Sequence, residues 1–370
     1  MISESMCKNG QVVMSRNILL VWDRMGDYHR ARWQAFQTEL PDRKVFAADL
    51  AGSDKLYGWN TTADNPLYAS LSKKPANRFD FSRIRQLVRI LSEHNIGTIC
   101  ISGYGRPEYL MFILYGKFTG RKVILFAESW YGSNIVLDKL KSFFLRHTTD
   151  GFLVSGSRAF IHFTGRLKIP AYKIKTGYSV VDNAHFDRSA FQPRNFSKRI
   201  LCVARFAPEK NLSLLINAFQ KSKFFYHNWE LQIVGGGPLT RELESLVSGG
   251  NNIKLSSWKS YDQMPEIYQQ ADIFILPSVF EPWGLVVNEA MAAGLPLLLS
   301  ESVGCAPDLL TDGENGLIFQ DNFDSLAEVL NKMFSFSFQE IAVMGSKSKE
   351  KIAEFSLAKF SGNLKALIES

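Results

Sequence analysis

Short apolar runs alternate with helical stretches along most of this chain, and the alternation restricts the fold more than any other feature. In the first half, runs of strand length lie at NILLVW (17–22), KVFAAD (44–49), GTICIS (97–102), KVILFA (122–127) and GFLVS (151–155). Helices are predicted near 29–40, 81–94, 107–118 and 135–147. Because continuous apolar strands separated by helices are buried on both faces, the pattern predicts a parallel sheet covered by helices.

The second half repeats the pattern. Its strands are predicted at RILCVA (199–204), WELQIVG (229–235), NIKLS (252–256), DIFILP (272–277) and LPLLLS (295–300), and its helices near 211–221, 239–248, 284–293 and 324–334. Two such series in 370 residues predict an α/β protein with two Rossmann-like domains. The polar segment 182–198, which contains Pro193, is the predicted boundary between domains at 1–190 and 191–354.

The composition and charge exclude several classes of protein. No apolar run reaches the length of about 18–20 residues that a membrane span needs. Residues 1–13 lack the apolar core of a secretory signal and are expected to form a flexible extension, with Met14 as an alternative start. The widely spaced cysteines, Cys7, Cys100, Cys202 and Cys305, indicate neither a zinc site nor a thiol-exchange site, and are typical of a cytosolic protein.

The two halves of the chain differ in charge. Residues 1–190 carry 27 Lys and Arg against 16 Asp and Glu, whereas residues 191–370 carry 16 against 20. A basic first half predicts an anionic partner, such as a membrane surface or a phosphorylated acceptor, although a merely solvated basic face is the alternative. The sequence contains no nucleic-acid recognition motif, so nucleic acid is not expected as a partner.

The segment FEPWGLVVNEAMAAGLPLLLS (280–300) joins two predicted strands through a helix. Glu281 is expected in the loop that precedes the helix, and Glu289 one turn inside it. The helix start offers free backbone amides and the positive end of the dipole, which suits a phosphate group. Carboxylates beside it suit sugar hydroxyls, because an ionised carboxylate only accepts hydrogen bonds. Alternatively, Glu281 is simply a charged loop residue and Glu289 is a solvated residue of the helix.

Two further clusters follow predicted strands. In RFAPEKN (205–211), Arg205 closes a strand and Lys210 begins a helix, so that two cations can hold a diphosphate from both sides. In IVGGGPL (233–239), Gly235 and its neighbours allow a tight turn, but the dinucleotide-binding glycine pattern is absent. In open α/β sheets ligands bind beyond the carboxyl ends of the strands, where these clusters fall.

Taken in order, VARFAPEKN, IVGGGPL, FEPWGLVVNEAMAAGLP and DGENGLIF (312–319) resemble the motifs of the retaining glycosyltransferases of family four. The segment KIKTGYSVVDNAHF (173–186) resembles the stretch that precedes the second domain in that family. The resemblance implies the GT-B architecture, in which two Rossmann-like domains face a central cleft. It also implies that the first domain binds the acceptor, that the second binds the donor, and that the helix at 355–370 packs back on the first domain.

The resemblance further implies a role for each matching residue. Arg205 and Lys210 would bind the donor diphosphate and neutralise the leaving group, while Glu281 would hold the hydroxyls of the donor sugar. Glu289 would bind the ribose. The remaining donor-side positions implied are the amides of Gly284, Leu285 and Val286, the turn at Gly235, and Trp258 with Lys259 beside the base.

The implied reaction transfers a sugar with retention of its anomeric configuration, without a metal or other cofactor. The implied donor is a nucleotide-diphosphate sugar, with UDP favoured and GDP next. The acceptor would be a glycan or a lipid-linked glycan in the assembly of a surface polysaccharide. This implies a cytoplasmic protein that can work peripherally on the inner face of the plasma membrane. The alternative is a non-catalytic subunit that keeps the fold to bind glycans or to act as a scaffold.

The first half departs from the family pattern in two loops. The loop WDRMGDYHRAR (22–32) has one glycine, and FAESWYG (126–132) has Glu128 where many relatives have a histidine. Either His29 supplies the imidazole, or Glu128 holds a sugar or acceptor hydroxyl. Other acceptor-side candidates are the loop residues Gly26 and Asp27 and the aromatic residues Trp130 and Tyr131.

The segment KLKSFFLRH (139–147) mixes cations with aromatic residues. It can form an amphipathic helix that lies on an anionic membrane. Alternatively, Leu140, Phe143 and Phe144 form a core stripe of an ordinary helix.

Overall fold

The structure is a computed structural model, which describes residues 16–51, 65–74, 76, 78–132, 134–187, 196–247 and 252–370. The predicted extension 1–13, Met14 and part of the predicted boundary, residues 188–195, lie outside the described residues. Cys7 lies there too, whereas Cys100, Cys202 and Cys305 are buried free thiols.

The first half of the chain forms a parallel sheet. Its strands are β1 (Asn17–Trp22), β2 (Val45–Asp49), β3 (Tyr68–Ser70), β4 (Ile96–Ser102), β5 (Lys122–Ala127), β6 (Gly151–Val154) and β7 (Ile174–Thr176). In the described part of the chain, their spatial order is β3-β2-β1-β4-β5-β6-β7 and neighbouring strands are parallel. The order reverses at β1, and the loops that leave β1 and β4 therefore open a crevice at this point.

The second half forms another parallel sheet. Its strands are β8 (Arg199–Val203), β9 (Glu230–Val234), β10 (Ile253–Ser256), β11 (Ile273–Leu276), β12 (Leu297–Ser300) and β13 (Gly316–Phe319). Among the described residues the spatial order is β10-β9-β8-β11-β12-β13, so that β8 and β11 are neighbours. The loop carrying Arg205 and Lys210 and the loop carrying Glu281 therefore leave adjacent strands at the same edge of the sheet.

Helices cover both sheets. In the first half they are α1 (Asp27–Glu39), α2 (Phe81–Glu93), α3 (Pro107–Phe118), α4 (Ile135–Thr148), α5 (Ser157–Ile161) and α6 (Asn183–Phe186). In the second half they are α7 (Leu212–Gln220), α8 (Lys223–Tyr226), α9 (Thr240–Val247), α10 (Met264–Gln269), α11 (Leu285–Ala292), α12 (Ala306–Leu309), α13 (Phe323–Ser335), α14 (Phe338–Ile352) and α15 (Leu357–Glu369). Within the described ranges, no helix is long and apolar enough to cross a membrane.

Side-chain caps explain where several helices begin. The Asn134 side chain accepts a hydrogen bond from the Leu137 amide at the start of α4. Asp80 and Asn322 cap α2 and α13 in the same way. Each cap satisfies an amide that has no partner inside the helix, which typically contributes about 1 kcal/mol.

The C-terminal helix α15 packs on the first domain, although α13 and α14 before it belong to the second. Phe360, Leu364 and Leu367 are buried in one cluster with Trp22 and other residues of the first sheet. Conversely, α6 follows the strands of the first domain in the sequence, but its residue Phe186 is buried in the core of the second domain. The chain thus crosses between the domains near residue 186 and again between α14 and α15.

The fold predicted from the alternation of strands and helices is confirmed, with two Rossmann-like α/β domains built on parallel sheets. Three strands, β3, β7 and β13, the short helices α5, α6, α8, α10 and α12, and the long helix α14 were not among the predicted elements. Strands β3 and β7 are edge strands of three residues and too short to show a period. For α14 a local signal existed, because Ser337 and Glu340 form a reciprocal capping box ahead of it.

Candidate functional site

A cleft of about 1520 Å³ lies between the carboxyl ends of the two sheets. Its walls are the loops that follow β1, β4 and β5 in the first domain and β8, β10 and β11 in the second. The predicted site residues that line it are Asp27, His29, Glu128, Tyr131, Arg205, Lys210, Trp258, Lys259, Glu281, Gly284, Leu285, Val286 and Glu289. Side chains far apart in the sequence therefore meet in one cavity, at the place where parallel α/β sheets bind ligands.

Lys210 and Glu281 form an ion pair at the floor of the cleft. Lys210 ends a short 3₁₀ turn (Pro208–Lys210) after β8, and its ammonium group donates a hydrogen bond to the Glu281 carboxylate. Both side chains are only 14% exposed. Burial raises the pKa of Glu281, and the charge of Lys210 and its hydrogen bond oppose that rise. An ammonium group has three N–H donors, so Lys210 can bind a second anion while it holds Glu281.

Arg205 lies at the mouth of the cleft, where its guanidinium donates a hydrogen bond to Glu209. Burial alone would raise the pKa of Glu209, but the hydrogen bond and charge of Arg205 bring the pKa below its usual value. Glu209 was not among the residues predicted from the sequence. Its spacing of four residues from Arg205 was the available signal, since charges at that spacing often pair.

The loop after β11 turns into α11 at Gly284, whose φ of 100° lies in the left-handed region that favours glycine. Helix α11 begins at Leu285, and Gly284, Leu285 and Val286 line the cleft. The first amides of a helix have no partner within the helix and point along its positive end. The geometry therefore presents an anion-binding helix start beside the Lys210–Glu281 pair.

Glu289, in the second turn of α11, is 1% exposed, and tyrosine hydroxyls contact both of its carboxylate oxygens. Tyr268 donates a hydrogen bond to Oε2 at 2.6 Å, and Tyr28 of the first domain donates one to Oε1. Burial raises the pKa of Glu289 to about 7, although both hydrogen bonds favour the ionised form. Neither tyrosine was singled out from the sequence, because contacts between distant segments leave no local pattern.

His29 and Glu128 occupy the first-domain wall of the cleft. His29 lies beside Trp22, with ring centroids 5.1 Å apart and the ring planes tilted by 30°, and its Nδ1 accepts a hydrogen bond from the Gly26 amide at 3.3 Å. Burial, together with the charge of Arg32, lowers the pKa of His29 to about 3, so the imidazole is neutral at pH 7. Glu128 follows β5 and accepts a hydrogen bond from the Ser179 hydroxyl at 2.6 Å. Its charge helps to raise the pKa of Glu281 across the cleft.

The second domain matches a known family. Residues 185–351 fit the family model described as "Glycosyl transferases group 1". The position of Arg205, Lys210, Glu281 and Glu289 inside this group 1 region agrees with the motifs from which the family was predicted.

Curated relatives are similar over part of their length. The uncharacterized glycosyltransferase MJ1607 of Methanocaldococcus jannaschii is 30% identical over 213 residues, which cover 53% of this chain and 54% of that protein. The amylovoran biosynthesis glycosyltransferase AmsK of Erwinia amylovora is 27% identical over 225 residues, which cover 58% of this chain and 55% of that protein. This chain thus spans about half the length of these two relatives.

Solved structures share the fold of both domains. The Anabaena protein Alr3699/HepE in complex with UDP superimposes with a TM-score of 0.74 at 16% identity, covering 95% of this chain and 99% of that one. Sucrose-phosphate synthase of Thermosynechococcus elongatus gives a TM-score of 0.75 at 16% identity, covering 96% and 98%. These likenesses cover both domains and confirm the predicted GT-B architecture.

Three predicted site residues are not among those that line the cleft. Gly26 is the buried N-cap residue of α1. Gly235 sits where strand ends meet closely, because a Cβ there would lie 1.9 Å from the Ala204 carbonyl oxygen. Trp130 bridges the domains instead, since its indole N–H donates to the Pro282 carbonyl at 3.0 Å. Residues next to Gly26 and Trp130 line the cleft, whereas none of the residues 233–239 around Gly235 does.

Trp258 and Lys259, which are predicted to flank the nucleotide base, lie beside the glycine turn that follows β9. Trp258 and Lys259 are exposed on the loop after β10 and line the cleft. The site of a Cβ on Gly236 lies 3.2 Å from the Trp258 ring, so the glycine allows the indole to approach the backbone. For metal binding, the described residues contain no group of three or more His, Cys, Asp and Glu side chains that could hold an ion.

The raised pKa of Glu289 predicts a pH-dependent stability. The folded protein keeps a proton on Glu289 up to about pH 7, whereas the unfolded chain releases it near 4.5. The stabilisation that this proton gives is fully present below pH 4.5 and is lost as the pH rises through 7. Between pH 5 and 8, the free energy of unfolding of the wild type should fall by about 2.5 kcal/mol more than that of Glu289→Gln. Urea denaturation at both pH values measures this, and equal pH dependence in both proteins would contradict it.

Proposed function

We propose that this protein is a glycosyltransferase that moves a sugar from a nucleotide-diphosphate sugar to a hydroxyl group of a glycan or lipid-linked acceptor. The observation that carries the proposal is the buried Lys210–Glu281 pair beside the start of α11, in a cleft between two Rossmann-like domains. This arrangement brings together in one cavity a cation that can bind phosphate, a carboxylate that can accept hydrogen bonds from hydroxyl groups, and a helix start that can bind an anion.

In this proposal the donor lies along the second-domain wall of the cleft. Arg205 and Lys210 bind the diphosphate, and the amides of Leu285 and Val286 contact the distal phosphate. Glu281 accepts hydrogen bonds from the sugar hydroxyls, and Glu289 accepts them from the ribose. Trp258 and Lys259 flank the base. Supporting this arrangement, these residues line one side of a single cavity.

The proposed reaction retains the anomeric configuration. The acceptor oxygen forms a bond to the anomeric carbon on the face from which the nucleotide diphosphate departs with the electron pair of the broken C–O bond. The acceptor proton passes to a phosphate oxygen of the leaving group. The protein then contributes positioning and stabilisation of the charge that develops on the diphosphate. Arg205 and Lys210 supply that positive charge, and we therefore propose that no metal or other cofactor is needed.

On the acceptor side, Glu128 is the favoured partner for a sugar or acceptor hydroxyl. It directly follows β5 on the wall opposite Glu281, and a carboxylate can accept the hydroxyl hydrogen bond. His29 remains a candidate only as a neutral imidazole, because its lowered pKa keeps it uncharged. Asp27 and Tyr131 also line this side of the cleft.

The nucleotide and the pathway are proposed from relatives. UDP is the favoured nucleotide, ahead of GDP, because HepE was solved with UDP and with UDP-glucose on the same fold. Assembly of a cell-surface polysaccharide is the proposed setting, because AmsK is named for amylovoran biosynthesis. We propose a cytoplasmic enzyme and no nucleic-acid partner.

The test combines binding with turnover. The purified chain is heated with UDP, GDP or ADP and their sugars, with and without EDTA, and release of nucleotide diphosphate is measured in parallel. One nucleotide series should raise the melting temperature in EDTA, because a ligand of the folded state stabilises it. The shift should disappear in Arg205→Ala and persist in Lys254→Ala, an exposed lysine on β10. No shift and no turnover with any donor would overturn the proposal and favour a non-catalytic glycan-binding or scaffold subunit.

The contact between Tyr28 and Glu289 predicts an effect on nucleotide affinity. Ribose hydroxyls that bind Glu289 must displace the Tyr28 hydroxyl from Oε1. At pH 8, where Glu289 is ionised, Tyr28→Phe removes this competitor and should tighten nucleotide-diphosphate binding at least about tenfold, since a hydrogen bond to a charged group is worth about 1.5–3 kcal/mol. Titration calorimetry measures the affinity. Tyr268→Phe is the comparison, because Tyr268 holds the other oxygen, Oε2, and should not tighten binding. Weaker binding by Tyr28→Phe would show that the ribose does not compete for Oε1.

A further inference from the structure

The outward face of α4 is apolar and cationic. Val136, Leu140 and Phe143 recur at helical spacing on this face, with Val136 66% and Phe143 69% exposed. On the opposite side of the helix, Leu145 and Asp138 are buried. The segment was predicted to form either an amphipathic surface helix or a core stripe of Leu140, Phe143 and Phe144. Of these three residues only Phe144 packs against the core of the first domain.

The exposed charged residues of α4 are cationic and lie beside its apolar stripe. Lys139 and Arg146 are exposed and flank one edge of the apolar stripe at helical spacing. The acidic residue of the helix, Asp138, is buried and bonded to Arg166. The exposed side chains of α4 are thus apolar, cationic or uncharged, with no carboxylate among them, so the face complements an anionic surface.

The same helix borders the cleft. Leu140, Lys141 and Phe144 line the cavity together with Leu110 on α3 and Tyr131. An apolar path therefore leads from the exposed stripe over the edge of α4 into the site. A molecule with an apolar tail can keep that tail beside α4 while its polar end reaches the cleft.

We infer that the outward face of α4 docks on an anionic lipid bilayer and that the acceptor is a lipid-linked molecule that enters the cleft from that bilayer. The apolar stripe inserts at the boundary between head groups and acyl chains, while Lys139 and Arg146 reach anionic head groups. The identity of the acceptor rests on the proposed glycosyltransferase function. The docking itself does not, and vesicle binding can be measured without donor or acceptor.

The experiment is sedimentation of the full chain with vesicles of phosphatidylcholine containing about a third phosphatidylglycerol, and with phosphatidylcholine alone. The chain should bind the anionic vesicles, and added salt should weaken binding. Lys139→Glu/Arg146→Glu should lower the partition coefficient at least fivefold per cation, and Val136→Ser/Phe143→Ser at least tenfold. Matched controls on the second domain, Lys347→Glu and Tyr226→Ser, change an exposed cation and an exposed aromatic residue and should bind like the wild type.

The outcomes separate the docking from the proposed function. None of the substituted α4 residues lines the cleft, so these variants should keep the nucleotide-induced rise in melting temperature. Loss of vesicle binding with that rise intact supports the inference. Absence of vesicle binding by the wild type, or equal binding by the α4 variants, overturns it. Dimerisation that Val136→Ser/Phe143→Ser abolishes without lipid would also overturn it, because a second copy of the chain would then cover the face.

Discussion

Lys210→Ala is expected to lower the turnover number of sugar transfer by about 10²–10³-fold, which is the usual cost of removing one group that stabilises developing charge. Lys210 lies at the floor of the cleft and can bind the departing diphosphate while it holds Glu281. The leaving group carries more negative charge in the transition state than in the bound donor, so the loss should appear in kcat rather than in KM alone. Initial rates of nucleotide-diphosphate release over a range of donor concentrations measure both constants.

A control is needed because Lys210 also neutralises Glu281. Without the lysine, a buried carboxylate loses its partner, which can destabilise the second domain. In Lys210→Ala/Glu281→Gln the buried charge is gone, so the thermal stability should recover while turnover stays low. A rise in KM with unchanged kcat in Lys210→Ala would show that the lysine only binds the donor in its ground state.

Glu108→Leu is expected to lower the free energy of unfolding by about 3–5 kcal/mol, the usual cost of removing one partner of a buried ion pair. Arg83 on α2 and Glu108 on α3 are both buried, and their atoms Nη1 and Oε1 lie 2.5 Å apart. Arg83 also donates to the Leu50 carbonyl at 2.9 Å and the Lys74 carbonyl at 3.1 Å, so it is fixed in the interior. Removing Glu108 leaves a positive charge there without its carboxylate. Urea denaturation followed by circular dichroism measures the change.

The comparison variant for this stability prediction is Glu93→Leu. Glu93 pairs with Arg89 on the surface of α2, with 2.7 Å between Oε1 and Nε. Exposed pairs of this kind contribute roughly 0.3–0.5 kcal/mol, so Glu93→Leu should be nearly neutral. Similar effects of the two substitutions would show that the Arg83–Glu108 pair is not desolvated in solution.

Much of the candidate site followed from local sequence. Arg205, Lys210 and Glu281 come directly after predicted strands, and the carboxyl ends of parallel strands share one edge of a sheet. Since β8 and β11 are neighbours, the two loops meet, and the pair Lys210–Glu281 forms. The start of α11 at Leu285 was likewise within one residue of its predicted position.

Other parts of the site depended on contacts between distant segments. Tyr28 reaches Glu289, and Trp130 reaches Pro282, across the boundary between the domains. The lowered pKa of His29 and the raised pKa of Glu289 follow from burial, which a loop motif does not specify. The exposed state of Phe143 beside the half-buried Phe144 was also undecided, since both fit one helical pattern.

The sequence by itself determined the class of fold, the positions of most helices and strands, and the loops that carry Arg205, Lys210 and Glu281. These features rest on periodicity and on turn and cap residues, which act over a few positions of the chain. Only the tertiary structure decided that Tyr28 covers Glu289, that Gly26, Gly235 and Trp130 do not line the cleft, and that the face of α4 is exposed. Each of these depends on how two domains and their helices pack together, and packing sets burial and direction through contacts that no local pattern records.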